Sequence, residues 1–239
     1  APYRALVGKI TWRLANQARD SGRKGTAAFY QDAMNALQKA VDLDPEPIEP
    51  RQMLAQAQFD SNEAQKAEAT VSSLLLHMQS KGGGTAEQLL AAHLLRANAA
   101  SRAYAKTKND GNNDAGLLNS SRTSMRWLEQ KAKLTPELLK LWSTTEQWAE
   151  APAAATNVYV RASERAPTDF ALLDLVVNTA ASQKQLPLAI ASLQKRGDAG
   201  TVWYLGKAQY YQAGDQRQGG KPDDAIKTID AAIASFTDS

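Results

Sequence analysis

The side chains that could do chemistry are few, and their spacing argues against most chemistry. His77 and His93 are the only histidines. Each sits in a leucine-rich run, and neither has a carboxylate or a second histidine three or four residues on, the spacing that brings two ligands to one helix face. Both read as structural histidines. Asp110, Asn112 and Asp114 reproduce the alternating oxygens that open a calcium loop, but Ala115 stands where the turn glycine is required and Ser121 where a bidentate glutamate is. The stretch 107–114 therefore reads as a polar loop. Gly82, Gly83 and Gly84, and the segment 214–221, have the glycine content of a phosphate loop. Gly220 stands where the lysine should be and Pro222 where a hydroxyl residue should be, so both stretches read as turns. There is no cysteine, which removes disulfides, thiolate metal sites and a cysteine nucleophile. No acid–base pair stands beside a nucleophile, so no catalytic residue, metal or cofactor is expected.

Charge is equally undemanding. The formal net charge is +3 over 239 residues. Basic residues gather in 85–135 as Arg96, Arg102, Lys106, Lys108, Arg122, Arg126, Lys131 and Lys133, against Glu87, Asp110, Asp114 and Glu129. They could track phosphates, with Tyr104 or Trp127 stacking on bases, but no basic stripe continues into other segments. A solvated helix face is the simpler reading, and no nucleic-acid partner is expected. No apolar run approaches the ~18 residues of a transmembrane segment, and no charged-then-apolar leader is present. The lack of cysteine favours a bacterial periplasmic or other extracytoplasmic setting over the cytoplasm. Asn119-Ser120-Ser121 is a glycosylation sequon, meaningful only in a glycosylating host. The chain opens at Ala1 rather than methionine, and reads as a mature chain or a piece of a longer protein.

The elements that must carry these side chains are helical throughout. In 134–167, one apolar-periodic segment, 135–149, holds Leu138, Leu139, Trp142 and Trp148. The next, 152–165, holds Ala155, Tyr159 and Ala162 at i, i+4 and i+7 and is stopped by Pro167. The same small-large-small spacing recurs as Ala33, Leu37 and Ala40 ahead of Pro45, and as Ala225, Ile229 and Ala232. Between these lie further pairs. Segment 3–19 carries Leu6, Ile10, Leu14 and Ala18 as its expected buried stripe, with Trp12 beside it, and turns at 21–25 into 26–43. Met53, Leu54 and Ala57 pair with Ala67, Val71 and Leu74 across a break at 60–62. Thr85 and Gln88 form a capping box for a long alanine-rich helix to about residue 106; its partner 115–133 fits the pattern less well. Segments 169–182 and 187–195 form a shorter pair, and a last aromatic helix from 203 is joined to 222–236 by a turn lengthened over 216–221. Pro50, Pro136, Pro152, Pro187 and Pro222 fall at helix starts, and Pro45, Pro47 and Pro167 beyond helix ends. Sustained period-two alternation is absent, so no strand is expected.

Ala155, Tyr159, Ala162 and Pro167, with Trp142 before them and the Leu205-Gly206 pair and aromatics later, resemble the two helices of a tetratricopeptide repeat (TPR). The resemblance implies an all-α fold, a right-handed superhelical α-solenoid of helix-turn-helix repeats. It would run as one solenoid over 1–239 with approximate units 1–45, 48–81, 85–133, 134–167, 168–198 and 199–239. It also implies a non-catalytic scaffold that binds a peptide or protein partner on its concave face. Carried onto this chain, the first-helix contact positions are Gln56, Trp148, Asn178, Lys207, Tyr210 and Tyr211. Their amide and aromatic character suits a polar peptide with aromatic anchors, and the family's two-lysine clamp for a terminal carboxylate is not evident. The rival reading is a helical scaffold domain of a larger enzyme or of a bacterial cell-envelope or polysaccharide-export assembly. Partner identity and oligomeric state are not written in such a framework.

Overall fold

A computed structural model describes residues 1–23 and 25–238 of the chain. Lys24, in the turn expected at 21–25, and Ser239, at the end of the expected sixth unit, lie outside the described residues. Twelve helices occur among the described residues and no strand: α1 Pro2–Asp20, α2 Thr26–Leu43, α3 Ile48–Asp60, α4 Ala64–Ser80, α5 Ala86–Asn109, α6 Ala115–Lys131, α7 Pro136–Trp148, α8 Pro152–Arg165, α9 Phe170–Ser182, α10 Leu186–Arg196, α11 Ala199–Gln218 and α12 Pro222–Asp238. Consecutive helices pair as six hairpins, α1 with α2 through α11 with α12. They belong to two compact units, Ala1–Lys133 and Leu134–Ser239.

One turn is used six times. The residue two places after the end of each odd-numbered helix is left-handed: Gly22, Asn62, Gly111, Glu150, Lys184 and Gly220. The following N–H then reaches five residues back, as from Glu63 to Gln58 O at 2.8 Å and from Gln185 to Ala180 O at 2.7 Å. This is the Schellman closure, which satisfies carbonyls that a helix end leaves open. It reverses the chain within three to five residues.

In the first unit, small residues on one helix meet large ones on the next. Ala33, Leu37 and Ala40 of α2 are buried, as are Met53, Leu54 and Ala57 of α3; Met34, Leu37, Met53, Leu54 and Ala57 form one cluster with Trp12 against it. Val71, Leu74, Leu75 and Met78 of α4 form a second with Ala55, Ala92 and Leu95. The α5–α6 seam departs from this pattern. Buried Ala97, Ala100 and Ser101 meet Ser121, Ser124 and Met125, and the Ser101 and Ser121 hydroxyls lie 2.7 Å apart. Small residues on both sides explain why 115–133 fits the repeat poorly. The capping box of Thr85 and Gln88 is present, with Thr85 N–H donating to Gln88 Oε1 at 2.9 Å.

In the second unit, Leu139 and Trp142 of α7 pack with Ala155 and Tyr159 of α8, all buried, while Ala162 is half-buried. The Trp142 indole N–H donates to Glu146 Oε1 at 3.0 Å, and the Arg161 guanidinium lies 5.1 Å from its ring centre. Leu172, Leu173, Val176 and Val177 of α9 are buried, as are Leu186, Ala189, Ile190 and Leu193 of α10. Gly206 does what the Leu-Gly pair implies. A Cβ there would stand 2.9 Å from the Phe236 ring and 3.2 Å from Ala232 O, so its absence sets how closely α11 and α12 approach.

Four expectations change. Of the expected stripe, Leu6, Ile10 and Leu14 are exposed and only Ala18 is buried, with Gly8 and Ala15 facing the interior beside it. Small residues are what the close contact with α2 admits. The long turn over 216–221 is also absent: α11 continues to Gln218, taking in Gly214, and only 219–221 turn. Its Ala213 and Gln209 are buried, and this packing outweighs the ~1 kcal/mol that one glycine costs a helix. Likewise the polar loop 107–114 shortens to 110–114. Pro50 lies in the first turn of α3 rather than opening it, where its missing N–H has no intrahelical partner to lose.

Candidate partner-binding site

The residues first suspected of chemistry have structural uses. Asp114 Oδ1 accepts from Gly116 N–H at 2.9 Å and Leu117 N–H at 3.2 Å, capping α6. His93 is buried, stacked on Trp127 with ring centres 4.1 Å apart, and its Nδ1 is 3.3 Å from Ser124 Oγ. Burial, with Arg96 nearby, lowers its pKa to about 4. His77 Nε2 lies 3.1 Å from Glu46 O. Of the basic residues, Arg96 pairs with Glu68 at 3.5 Å and donates to Ser120 Oγ, and Arg102 lies over the Phe59 ring at 5.2 Å. Among the described residues no group of three or more His, Cys, Asp or Glu is arranged to hold a metal, and no helix is long and apolar enough to cross a membrane.

All six suspected contact residues lie on first helices of hairpins. Gln56, on α3 of the first unit, is half-buried; its amide donates to Asp60 Oδ1 at 2.9 Å, while Asp60 Oδ2 accepts the Trp12 indole N–H at 2.9 Å. That network ties α3 to α1. In the second unit Trp148 is half-buried at the last turn of α7.

The other four gather around α9 and α11. Asp174 joins two of them, accepting from Asn178 Nδ2 at 2.7 Å through one oxygen and from Lys207 Nζ at 2.5 Å through the other. The Lys207 ammonium is also 5.8 Å from the ring centres of both Trp203 and Tyr211. Trp203 meets Tyr204 edge-on at 4.9 Å, and Tyr204 stacks with Phe170 of α9 at 6.2 Å. Gly200 makes room there, since a Cβ would stand 3.1 Å from the Phe170 ring. Partial burial, and then the Asp174 charge, raise the Tyr204 pKa. Tyr210 is exposed, with its ring 6.1 Å from that of Tyr211. Both tyrosines line a groove of about 670 Å³ that also takes in Gly214, Arg217, Ile226 and Ile229.

The face therefore has a polar centre, Asp174, Asn178 and Lys207, rimmed by Phe170, Trp203, Tyr204 and Tyr211. Lys207 is neutralised by its partner, so the centre offers amide and carboxylate groups more than a bare cation. Asp174, Phe170, Trp203 and Tyr204 were missed from the sequence. Asp174 could have been found, because it lies four residues before Asn178 and so shares its face.

Residues 30–83, from within α2 through α4, match the tetratricopeptide repeat family. The match takes in part of the chain, and the hairpins outside it repeat the same helix-turn-helix plan, so the chain resembles a divergent tetratricopeptide-repeat protein. No match is found among curated proteins. The crystal structure of YrrB, a TPR protein with an unusual peptide-binding site, is 17% identical over 84% of this chain and 92% of that one, with a TM-score of 0.44. TTC0263, a thermophilic TPR protein of Thermus thermophilus, is 15% identical over 95% of this chain and 99% of that one, with a TM-score of 0.43. A tetratricopeptide repeat protein from Parabacteroides merdae is 12% identical over 95% of this chain and 85% of that one, with a TM-score of 0.44. At these values nothing about ligands carries across.

Proposed function

We propose that this chain is a non-catalytic scaffold that binds an extended segment of a partner protein along the first-helix face of α9 and α11. A fold of tetratricopeptide type suggests a protein–protein interaction scaffold. The observation that supports the finer reading is the junction at Asp174, which holds Asn178 and Lys207 in place between exposed aromatic rings. Ordered polar groups lose little entropy on binding, and rigid rings offer area at low cost. An amide such as Asn178 presents one donor and one acceptor to a peptide unit, while Trp203 and Tyr211 supply apolar anchor surfaces. Because Asp174 already neutralises Lys207, recognition of a free terminal carboxylate is disfavoured, and an internal segment with aromatic or aliphatic side chains is the expected ligand.

Selection from a displayed library of random peptides on the purified chain tests this. Enriched peptides should bind Lys207→Met and Tyr211→Ala at least ~10-fold more weakly. Melting should move little with Lys207→Met, because the Asp174 carboxylate it leaves behind is 44% exposed and stays hydrated. Enrichment of no peptide, or binding indifferent to both substitutions, would refute the reading.

A further inference from the structure

The first helix and the last hairpin expose surfaces that fit each other. On α1, Tyr3, Leu6, Ile10 and Leu14 form one stripe, 72%, 55%, 51% and 47% exposed, while the opposite face packs on α2 through Gly8 and Ala15. On α12, Ile226 and Ile233 are 60% and 58% exposed, with Ile229 and Phe236 along the same stripe, while Ala225, Ala232 and Ser235 are buried. The Phe236 ring is 6.2 Å from that of Trp203 on α11, and Tyr210 shares the groove with Ile226 and Ile229. The exposed side of the α11–α12 hairpin thus carries apolar side chains from both helices, and the groove at Tyr210 also reaches Ala181 of α9 and Leu186 of α10 and is edged by Asp215 and Arg217.

This α11–α12 channel has the form of a helix seat. Inside the units, the first helix of a hairpin rests on the second helix of the hairpin before it, and in three cases on both its helices: α3 on α1 and α2, α5 on α3 and α4, α11 on α9 and α10, with α9 resting on α8 alone. By this rule the α11–α12 channel should receive a first helix, and α1 is a first helix whose seat-facing stripe is bare. The lengths agree, since Tyr3 to Leu14 and Ile226 to Phe236 each span about 15 Å of helix. The charges agree too. Helix α1 carries Arg4, Lys9, Arg13 and Arg19 against Asp20, and α12 carries Asp223, Asp224 and Asp230 against Lys227. Arg4, Arg13 and all three of those aspartates are exposed.

We propose that α1 of one copy seats in the α11–α12 channel of a second copy, so that the protein associates head to tail. Such an interface uses two different surfaces and leaves one of each open at the ends, so assembly continues with concentration instead of stopping at a dimer.

Sedimentation velocity on the chain from about 1 to about 200 µM reads this directly. The wild type should show a weight-average sedimentation coefficient that rises across the range without a dimer plateau, and less steeply in high salt. Ile10→Asp removes the head and Ile233→Asp the tail; each alone should sediment as a monomer. Their equimolar mixture retains one good head and one good tail, and should form 1:1 dimers that grow no further. Both positions are exposed, so unchanged melting curves confirm that each variant is folded. A wild type that stays monomeric to the highest concentration, a single variant that still self-associates, or a mixture that stays monomeric overturns the proposal.

Discussion

Adding one methyl group to Gly8 is the sharpest test of how the first hairpin is packed. In an exposed helix, glycine to alanine stabilises by about 0.5–1 kcal/mol, because alanine has less freedom to lose on folding. At position 8 the new Cβ would stand 2.5 Å from Leu37 Cγ, 2.9 Å from its Cδ2 and 3.2 Å from its backbone N. Leu37 has no exposure and belongs to the Met34, Met53, Leu54 and Ala57 cluster, so it cannot swing into solvent. Overpacking of this kind costs about 1–3 kcal/mol, and Gly8→Ala should lose about 1–2 kcal/mol net. A unit of this size should then melt roughly 4–8 °C lower. Urea unfolding gives the free energy, and hydrogen-exchange protection of α1 and α2 amides reports the first unit alone. The decisive control is the same change after Leu37→Ala, a substitution that itself costs about 2–5 kcal/mol. With the obstacle gone, Gly8→Ala should become stabilising. Gly214→Ala, at a helical glycine with nothing within 4 Å of its absent Cβ, should stabilise outright. If Gly8→Ala stabilises equally with Leu37 present or absent, the close approach of α1 and α2 is wrong.

Two further predictions concern the turns and the buried histidine. Glu150 and Lys184 hold φ of 54° and 55°, where side chains are strained; Glu150→Gly and Lys184→Gly should each stabilise by about 0.5–1 kcal/mol in urea unfolding, and a loss would refute the shared turn geometry. His93, lowered to about 4 by burial and Arg96, refuses a proton that the unfolded chain accepts near pH 6.5. Its contribution to stability is complete above pH 6.5, is lost as pH falls toward 4 by up to about 1.4 kcal/mol per pH unit, and changes no further below that. His93→Gln should remove this slope from the pH dependence of the urea midpoint, and an NMR titration midpoint near 6.5 in the folded protein would contradict it.

Much of the helical plan is legible along the chain, because its signals are local. Thr85 and Gln88 announce a capping box, Pro136, Pro152 and Pro222 begin helices, and Ala33, Leu37 and Ala40 mark a face by spacing alone. The shared turn is half legible: glycine shows it at residues 22, 111 and 220, whereas Glu150 and Lys184 are ordinary side chains driven into the same conformation by the helices on either side. Around the candidate site, Asn178 and Lys207 were visible as first-helix positions, but Asp174, which joins them across two helices, was not.

Residue order alone settled that this chain is helical and roughly where each helix begins and stops, since caps, prolines and periodicity act over a few residues. Packing decided which side of α1 is covered, how far α11 runs and which side chains meet at Asp174. A period of 3.6 shows that a helix has an apolar stripe and says nothing about whether a neighbour lies against it, and contacts between helices depend on distances that no local pattern encodes.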